Sequence, residues 1–304
     1  MIAAICPNPS VDKIYELDGF VPGAVNRCNN VRAYPGGKGV HVGLALNELG
    51  SDTEIIAYWG GPSGKWIREK CLEKGVKCSG PVLEEWNRTC ITFLSNGSFQ
   101  NTEILETGPM VQTEHTVEFL NSVKTVCKIS DAVCVSGSWP DGVPLDIFNQ
   151  LQTICKFQET DLWVDASGEY LEAALAVKPF GIHLNRTEAE QVLNEKLNSA
   201  EMARKLLNYC NVVALTDGAD GLYFGYGNTI LHSTCAVDNV ISTVGSGDCL
   251  TAGLLYSWYG GKTPAEAARI ATACGAANCI NPDLGMIRKE DVDNFIKQTI
   301  IKEI

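Results

Sequence analysis

The sequence predicts an α/β fold: a doubly wound, mostly parallel sheet with helices on both faces and a small β-sheet lid. Three observations point there. Short apolar runs alternate with longer stretches of helical periodicity. The runs are apolar throughout, as strands buried on both faces must be. Two segments, 12–34 and 85–106, break the alternation and read as strands without long helices.

The strands expected are Ile2–Cys6, Thr53–Tyr58, Ala132–Val135, Leu162–Asp165, Gly181–Leu184 and Val212–Thr216, each bounded by turn residues or carboxylates. Helical patterns lie between them at Val40–Leu49, Gly64–Lys74, Glu114–Cys127, Leu145–Cys155 and Ala200–Asn208. The last third reads as mostly helical: Ser246–Tyr259, Pro264–Cys279 and Lys289–Ile301. Within the second exceptional segment, Asn96-Gly97 sits between Arg88–Ser95 and Ser98–Leu105, a hairpin signal. A small sheet built from the two insertions is expected to lie over the main sheet as a lid, excluding water on closure. Residues 1–304 are expected to form one α/β domain carrying that lid.

Composition narrows the function. The chain has 304 residues, 45% hydrophobic and 20% charged, so a sizeable core and no extensive disorder are expected. A net charge of −12 argues against nucleic acid or an anionic membrane as partner. It also means that an anionic substrate needs a local cluster of cations. Thirteen cysteines are scattered without a Cys-x-x-Cys pair, beside only four histidines, which disfavours a disulfide framework or a zinc site and suits a reducing cytoplasm. Met1–Pro7 reads as a strand rather than a basic leader, and no apolar run approaches a membrane span.

Several turns fall where ligands of such sheets gather, beyond the C-terminal strand ends. Gly245-Ser246-Gly247-Asp248 is a glycine turn opening an apolar helix. Its backbone N–H groups can meet a phosphate, and Asp248 can accept a proton from a hydroxyl. The same residues serve as well for a helix start with Asp as its dipole partner. Gly36-Gly37-Lys38-Gly39 opens another helix and adds a cation, without Walker A spacing. Asp12, after the first strand, can accept from two sugar hydroxyls or simply initiate a turn. Asn185 and Glu188, three apart, can face hydrated magnesium or form a capping box. Thr216-Asp217-Gly218-Ala219-Asp220-Gly221 can pass beneath a nucleotide or make a plain hairpin turn.

In their order and spacing these segments resemble the PfkB, or ribokinase-like, carbohydrate kinases over essentially the whole chain. Gly36–Gly39 is similar to that family's N-terminal signature, Gly245–Asp248 to its Gly-x-Gly-Asp signature, and Asn185-x-x-Glu188 to its magnesium motif. Asn8-Pro9-Ser10-Val11-Asp12, Val25-Asn26-Arg27, Val135-Ser136-Gly137-Ser138 and Val164–Glu169 resemble the branch of tagatose-6-phosphate kinases and 1-phosphofructokinases. Arg88–Ile91, Asn101–Pro109 and Ser246 lean towards tagatose 6-phosphate.

The resemblance implies an ATP- and Mg2+-dependent transfer of the γ-phosphoryl group to a phosphorylated ketohexose, with tagatose 6-phosphate first and fructose 1-phosphate or fructose 6-phosphate behind it. From a different class, a catalytically weak sugar-phosphate sensor keeping the fold is the alternative. Asp248 is implied as base, with Gly245, Ser246 and Gly247 as its anion hole. The sugar phosphate is implied at Asp12, Arg27, Gly36, Gly37, Lys38, His41, Arg88 and Ser136. The nucleotide is implied at Asn185, Thr216, Gly218, Gly221 and Asn278, and the metal at Asn185 and Glu188 through water. A homodimer through the lid is also implied. Three departures stand out. His41 replaces the branch's Asn, His183-Leu184-Asn185 replaces Lys-Pro-Asn, and Ser242-Thr243-Val244 replaces ribokinase's Asp-Thr-Thr, so no monovalent-cation site is expected.

Overall fold

The structure is a computed structural model that describes residues 1–95 and 102–304. The Asn96-Gly97 hairpin signal lies outside the described residues.

The first part of the chain runs β1 (Ile2–Cys6), β2 (Ser10–Leu17), β3 (Asn30–Gly36), α1 (Lys38–Glu48), β4 (Thr53–Ala57), β5 (Trp59–Gly60), α2 (Gly61–Glu73), β6 (Lys77–Ser79), β7 (Val82–Leu83), β8 (Arg88–Ser95) and β9 (Thr102–Leu105). Then come α3 (Thr113–Cys127), β10 (Ala132–Ser136), α4 (Ile147–Phe157), β11 (Asp161–Asp165), α5 (Gly168–Ala176), β12 (Gly181–Asn185), α6 (Arg186–Leu193), α7 (Ser199–Leu206) and β13 (Val212–Thr216). The chain finishes with β14 (Leu222–Tyr226), β15 (Thr229–Thr234), α8 (Ser246–Tyr259), α9 (Pro264–Cys279), α10 (Lys289–Gln298) and β16 (Ile300–Glu303).

The main sheet has the order β16-β15-β14-β13-β12-β11-β10-β1-β4-β6 among the described residues. From β6 to β13 every pair is parallel, and β13 to β16 pair antiparallel. Strand side chains alternate between two cores. Ala4, Cys6, Ile55, Cys134 and Trp163 face the layer of α1, α8, α9 and α10. Ala3, Ile5, Ile56, Val133 and Val164 face the layer of α3, α4, α5 and α7. Both faces are covered, which is why the central strands read as unbroken apolar runs.

Strand order reverses around β1, whose neighbours are β4 on one side and β10 on the other. A crevice beyond the C-terminal strand ends is expected at such a switch point. Onto it open the turn after β1, the start of α1, and the ends of β10, β11, β12 and β13.

The two exceptional segments come together as a second sheet of order β3-β2-β8-β9. It docks on the main body through the loop after α9. Tyr34 Oη donates to Asp283 Oδ1 (2.8 Å), and Arg32 donates to the Pro282 carbonyl (2.9 Å). Arg32 also pairs with Glu16 at 2.8 Å.

Several features depart from the expected elements, among them short strands β5 to β7 and helix α6. The C-terminal helix stops at Gln298, and Ile300–Glu303 instead pairs with β15 at the sheet edge. β-branched Thr299 and Ile300 favour that extension over continued helix. A hairpin, β14–β15, extends the sheet past β13, and α5 starts at Gly168 where no helix was expected. All thirteen cysteines are free thiols, nine of them buried. No helix among the described residues is long and apolar enough to cross a membrane.

Candidate active site

Several of the residues singled out in the sequence fall at the switch-point end of the main sheet and are wired together there. Gly245 starts α8 with φ at 83°, a left-handed conformation that suits glycine. That turn aims the first N–H groups of α8 outward, short of intrahelical acceptors. The Ser246 N–H already donates to the Thr243 carbonyl at 3.1 Å. Asp248, in the first turn, is buried.

Asp248 Oδ2 lies 2.9 Å from His41 Nδ1. The other ring nitrogen, Nε2, lies 3.4 Å from Asp12 Oδ2. Asp12 Oδ1 accepts from Ser10 Oγ at 2.5 Å, and Gly36 sits directly against the Asp12 carboxyl. One imidazole therefore bridges two carboxylates. Burial opposes its charge, but the close carboxylates of Asp12 and Asp248, the latter also hydrogen-bonded, outweigh burial and lift its pKa to about 10. Burial pushes the Asp248 carboxyl above its ordinary value, against the pull of His41 and Lys38. A carboxylate so raised is a better proton acceptor near neutrality.

A second cluster lies on the other side of the turn. Lys38 Nζ donates to Asp165 Oδ1 (2.8 Å), and His183 Nδ1 lies 2.9 Å from Asp165 Oδ2. Ser136 Oγ donates to the same oxygen at 3.3 Å. Burial raises the Asp165 carboxyl, yet Lys38 and then His183 outweigh it and hold the group well below the usual carboxylate range. Burial disfavours the Lys38 charge, and Asp165, Asp248 and Glu188 reverse that, so its pKa is raised. Lys38 thus stands between both clusters with its ammonium already paired. Ser136 is completely buried, with no surface open to a substrate in this structure.

The remaining expected residues spread outward. Arg88, half-buried at the start of β8, donates to the carbonyls of Asn8 (3.3 Å) and Glu106 (3.2 Å). Arg27 is exposed on the β2–β3 loop and is not brought to the cluster. Gly37 caps α1 with φ at 96°. Thr216 Oγ1 lies 3.4 Å from His183 Nε2. Gly218 borders open space, whereas Gly221 packs against the Ser233 carbonyl. Asn278 Nδ2 donates to the Met286 carbonyl (3.1 Å), leaving its buried Oδ1 unpaired.

Asn185 and Glu188 form a capping box on α6. Asn185 Oδ1 accepts from the Glu188 N–H (3.0 Å), and Glu188 Oε2 accepts from the Asn185 N–H (2.8 Å). Asn185 is exposed and Glu188 half-buried, and each retains oxygen lone pairs, so the donor set fits an ion held through its own waters rather than a closed protein cage.

Two participants carried no role in the sequence reading. Asp165 appeared only within a similar stretch, although a carboxylate ending an apolar strand was a usable signal. Gly285, in the loop after α9, lies against His41: a Cβ there would fall 2.2 Å from His41 Cγ. Nothing in its local sequence marks that approach.

Fold and site together define a ribokinase-like α/β kinase. The chain matches the model of the pfkB family carbohydrate kinases over residues 7–285. It is 30% identical over 312 residues to the tagatose-6-phosphate kinase of Staphylococcus epidermidis, covering all of both chains. It also superposes on phosphofructokinase-2 from Escherichia coli in complex with substrates and products, with TM-score 0.92, 21% identity and 98% of each chain covered. The tetrameric inhibited form of that enzyme gives TM-score 0.90 at 22% identity, with 97% of this chain and 98% of that one covered. The chain belongs to the pfkB family of carbohydrate kinases and is an ATP-dependent sugar-phosphate kinase.

Proposed function

We propose that the chain transfers the γ-phosphoryl group of ATP to a hydroxyl of tagatose 6-phosphate, giving tagatose 1,6-bisphosphate. One observation carries the catalytic part of the reading. Asp248, at a helix start, and Asp12, near the start of β2, belong to one buried cluster joined by His41. A base and a hydroxyl-binding carboxylate are thereby held together at the switch point. The full-length likeness to a tagatose-6-phosphate kinase favours that substrate over fructose 1-phosphate or fructose 6-phosphate.

In this reading Asp12 accepts hydrogen bonds from sugar hydroxyls, and Arg88 holds the substrate's phosphate with Arg27 once the β2–β3 loop approaches. Asp248 takes the proton of the acceptor hydroxyl as that oxygen bonds to the γ-phosphorus and the bond to ADP breaks. N–H groups of the Gly245–Asp248 turn, with Lys38, stabilise charge gathering on the transferred group. Asn185, Thr216, Gly218, Gly221 and Asn278 serve the nucleotide. Magnesium held through water near Asn185 and Glu188 would neutralise phosphate charge. The second sheet acts as a lid. Its exposed Val31, Ile104 and Leu105 suit a homodimer formed through it, and the free thiols suit the cytoplasm.

A panel of tagatose 6-phosphate, fructose 1-phosphate, fructose 6-phosphate and the unphosphorylated sugars, scored by kcat/KM for ADP release, tests the substrate. Tagatose 6-phosphate is expected to lead. A higher value for a plain sugar overturns the assignment.

A further inference from the structure

We propose that His41 is a positioning residue for phosphoryl transfer: an imidazolium clamped between Asp12 and Asp248 that fixes the base and keeps it ionised as the acceptor hydroxyl arrives. The catalytic consequence rests on the kinase reading; the clamp itself rests on geometry alone.

The clamp is built around a charged ring. His41 is 3% exposed, and its two carboxylate neighbours have side chains only 11% and 7% exposed. Each ring nitrogen faces a different carboxylate. A neutral imidazole would turn a lone pair towards one of them, whereas an imidazolium presents N–H to both. Nε2 faces Asp12 Oδ2 at 3.4 Å, a contact held by charge rather than by a formed hydrogen bond. Two buried carboxylates sharing this space need a cation between them.

The surrounding charges offer no substitute. Lys38, on the same helix, is committed to Asp165. Asp165 adds negative charge near Asp248. Burial raises the Cys134 and Cys249 thiols beside Asp248, and the Cys90 thiol and the Glu103 carboxyl beside Asp12. None of them supplies a positive charge; Arg88, whose charge reaches Cys90, donates to the Asn8 and Glu106 carbonyls, and Lys38 acts on Asp248 only through space while bonded to Asp165.

The ring is also locked in place. Gly285, at φ 65°, approaches so closely that a Cβ would lie 2.2–2.6 Å from three ring atoms. A Cβ on Gly245 would meet Gly285 at 2.5 Å and His41 Nδ1 at 3.6 Å. Two glycines thus form the wall behind the imidazole, and the wall fixes which way Nδ1 points. Asp248 Oδ2 is held by that nitrogen. Its other oxygen, Oδ1, has no partner among the described residues and is the one available to a hydroxyl.

Two measurements test the clamp. In the first, ¹⁵N-histidine NMR of the whole chain follows the four imidazoles with pH. The proposal expects one ring, absent from spectra of His41→Asn, to keep both N–H protons through pH 9. A His41 ring that turns neutral near pH 6.5 overturns it. In the second, kcat is measured from pH 5.5 to 9 with tagatose 6-phosphate for wild type and His41→Asn. Loss of the cation raises the pKa of Asp248, so the ratio of kcat at pH 6 to kcat at pH 8 is expected to fall about tenfold. Superimposable profiles overturn the positioning role. Should His41→Asn not fold, His41→Gln, which also removes the charge, replaces it in both measurements. If wild type releases no ADP with any ketohexose phosphate, the kinase reading fails, and the NMR titration still decides whether the imidazolium is there.

Discussion

Two histidine–carboxylate clusters flank the Gly245–Asp248 turn, and their stoichiometries are inverted. On the His41 side one cation serves two carboxylates, Asp12 and Asp248. On the His183 side one carboxylate, Asp165, holds Lys38, His183 and the Ser136 hydroxyl. The Asp165 cluster satisfies its anion completely, so it is suited to holding strand ends together. The His41 cluster leaves one Asp248 oxygen unsatisfied, so it is suited to reacting. A carboxylate with every oxygen partnered makes a scaffold, and one with an oxygen to spare makes a base.

The largest effect should come from breaking the satisfied side. Asp165→Ala leaves the buried His183 and Ser136 without their acceptor, while half-exposed Lys38 can turn to water, and is expected to lower the unfolding free energy by about 2–3 kcal/mol in urea titrations. Asp12→Asn leaves the His41–Asp248 pair intact and should cost only about 1–2 kcal/mol. Equal losses would erase the distinction.

The same inversion should be visible in pH. A histidine whose pKa rises on folding stabilises the fold below its unfolded value and loses that contribution as pH climbs through the folded value. For His41 that window runs from 6.5 up to about 10, so the urea midpoint should decline across it. A carboxyl lowered on folding behaves oppositely. The Asp165 contribution holds above 3.8 and disappears as pH falls below that value. A midpoint that stays flat from pH 7 to 10 would sink the first half of this pair.

Catalysis should follow the unsatisfied side. Asp248→Asn is expected to cut kcat by a factor on the order of 10² or more, with the affinity for tagatose 6-phosphate nearly unchanged by calorimetry. Gly285→Ala pushes on the His41 ring at a left-handed backbone position, which should cost about 1–3 kcal/mol of stability and lower kcat. The smallest effect belongs to the docking of the second sheet. Arg32→Ala removes a half-exposed pair with Asp283 and should cost less than about 1 kcal/mol, read from the thermal midpoint.

Strands buried on both faces were legible because no other element needs four or five consecutive apolar residues between turns. The segments that broke the strand–helix alternation were legible as strands for a different reason, since their residues alternate as a one-sided sheet requires. The C-terminal strand was not, since Lys289–Ile301 keeps helical spacing to its end and only the free edge of β15 draws Ile300–Glu303 into the sheet. Site residues that announce themselves by local chemistry, such as Asp248 after Gly245-Ser246-Gly247, could be named from sequence. Their partnerships could not. His41 and Asp248 are 207 positions apart, and Lys38 and Asp165 are 127 apart. His41 read as a replacement for Asn in contact with sugar, and His183 as a missing charge. Both prove to be clamped on carboxylates that no local pattern pairs with them.

The loop after α9 is a shared wall. One side receives Tyr34 and Arg32 from the second sheet at Asp283, and two residues later Gly285 presses on the His41 ring. Were the second sheet to lift as the proposed lid, it would pull on the same short span of backbone that packs against the imidazole. Admission of a sugar and alignment of the proposed base would then be one mechanical setting, and an enzyme held open would be one whose base is slack.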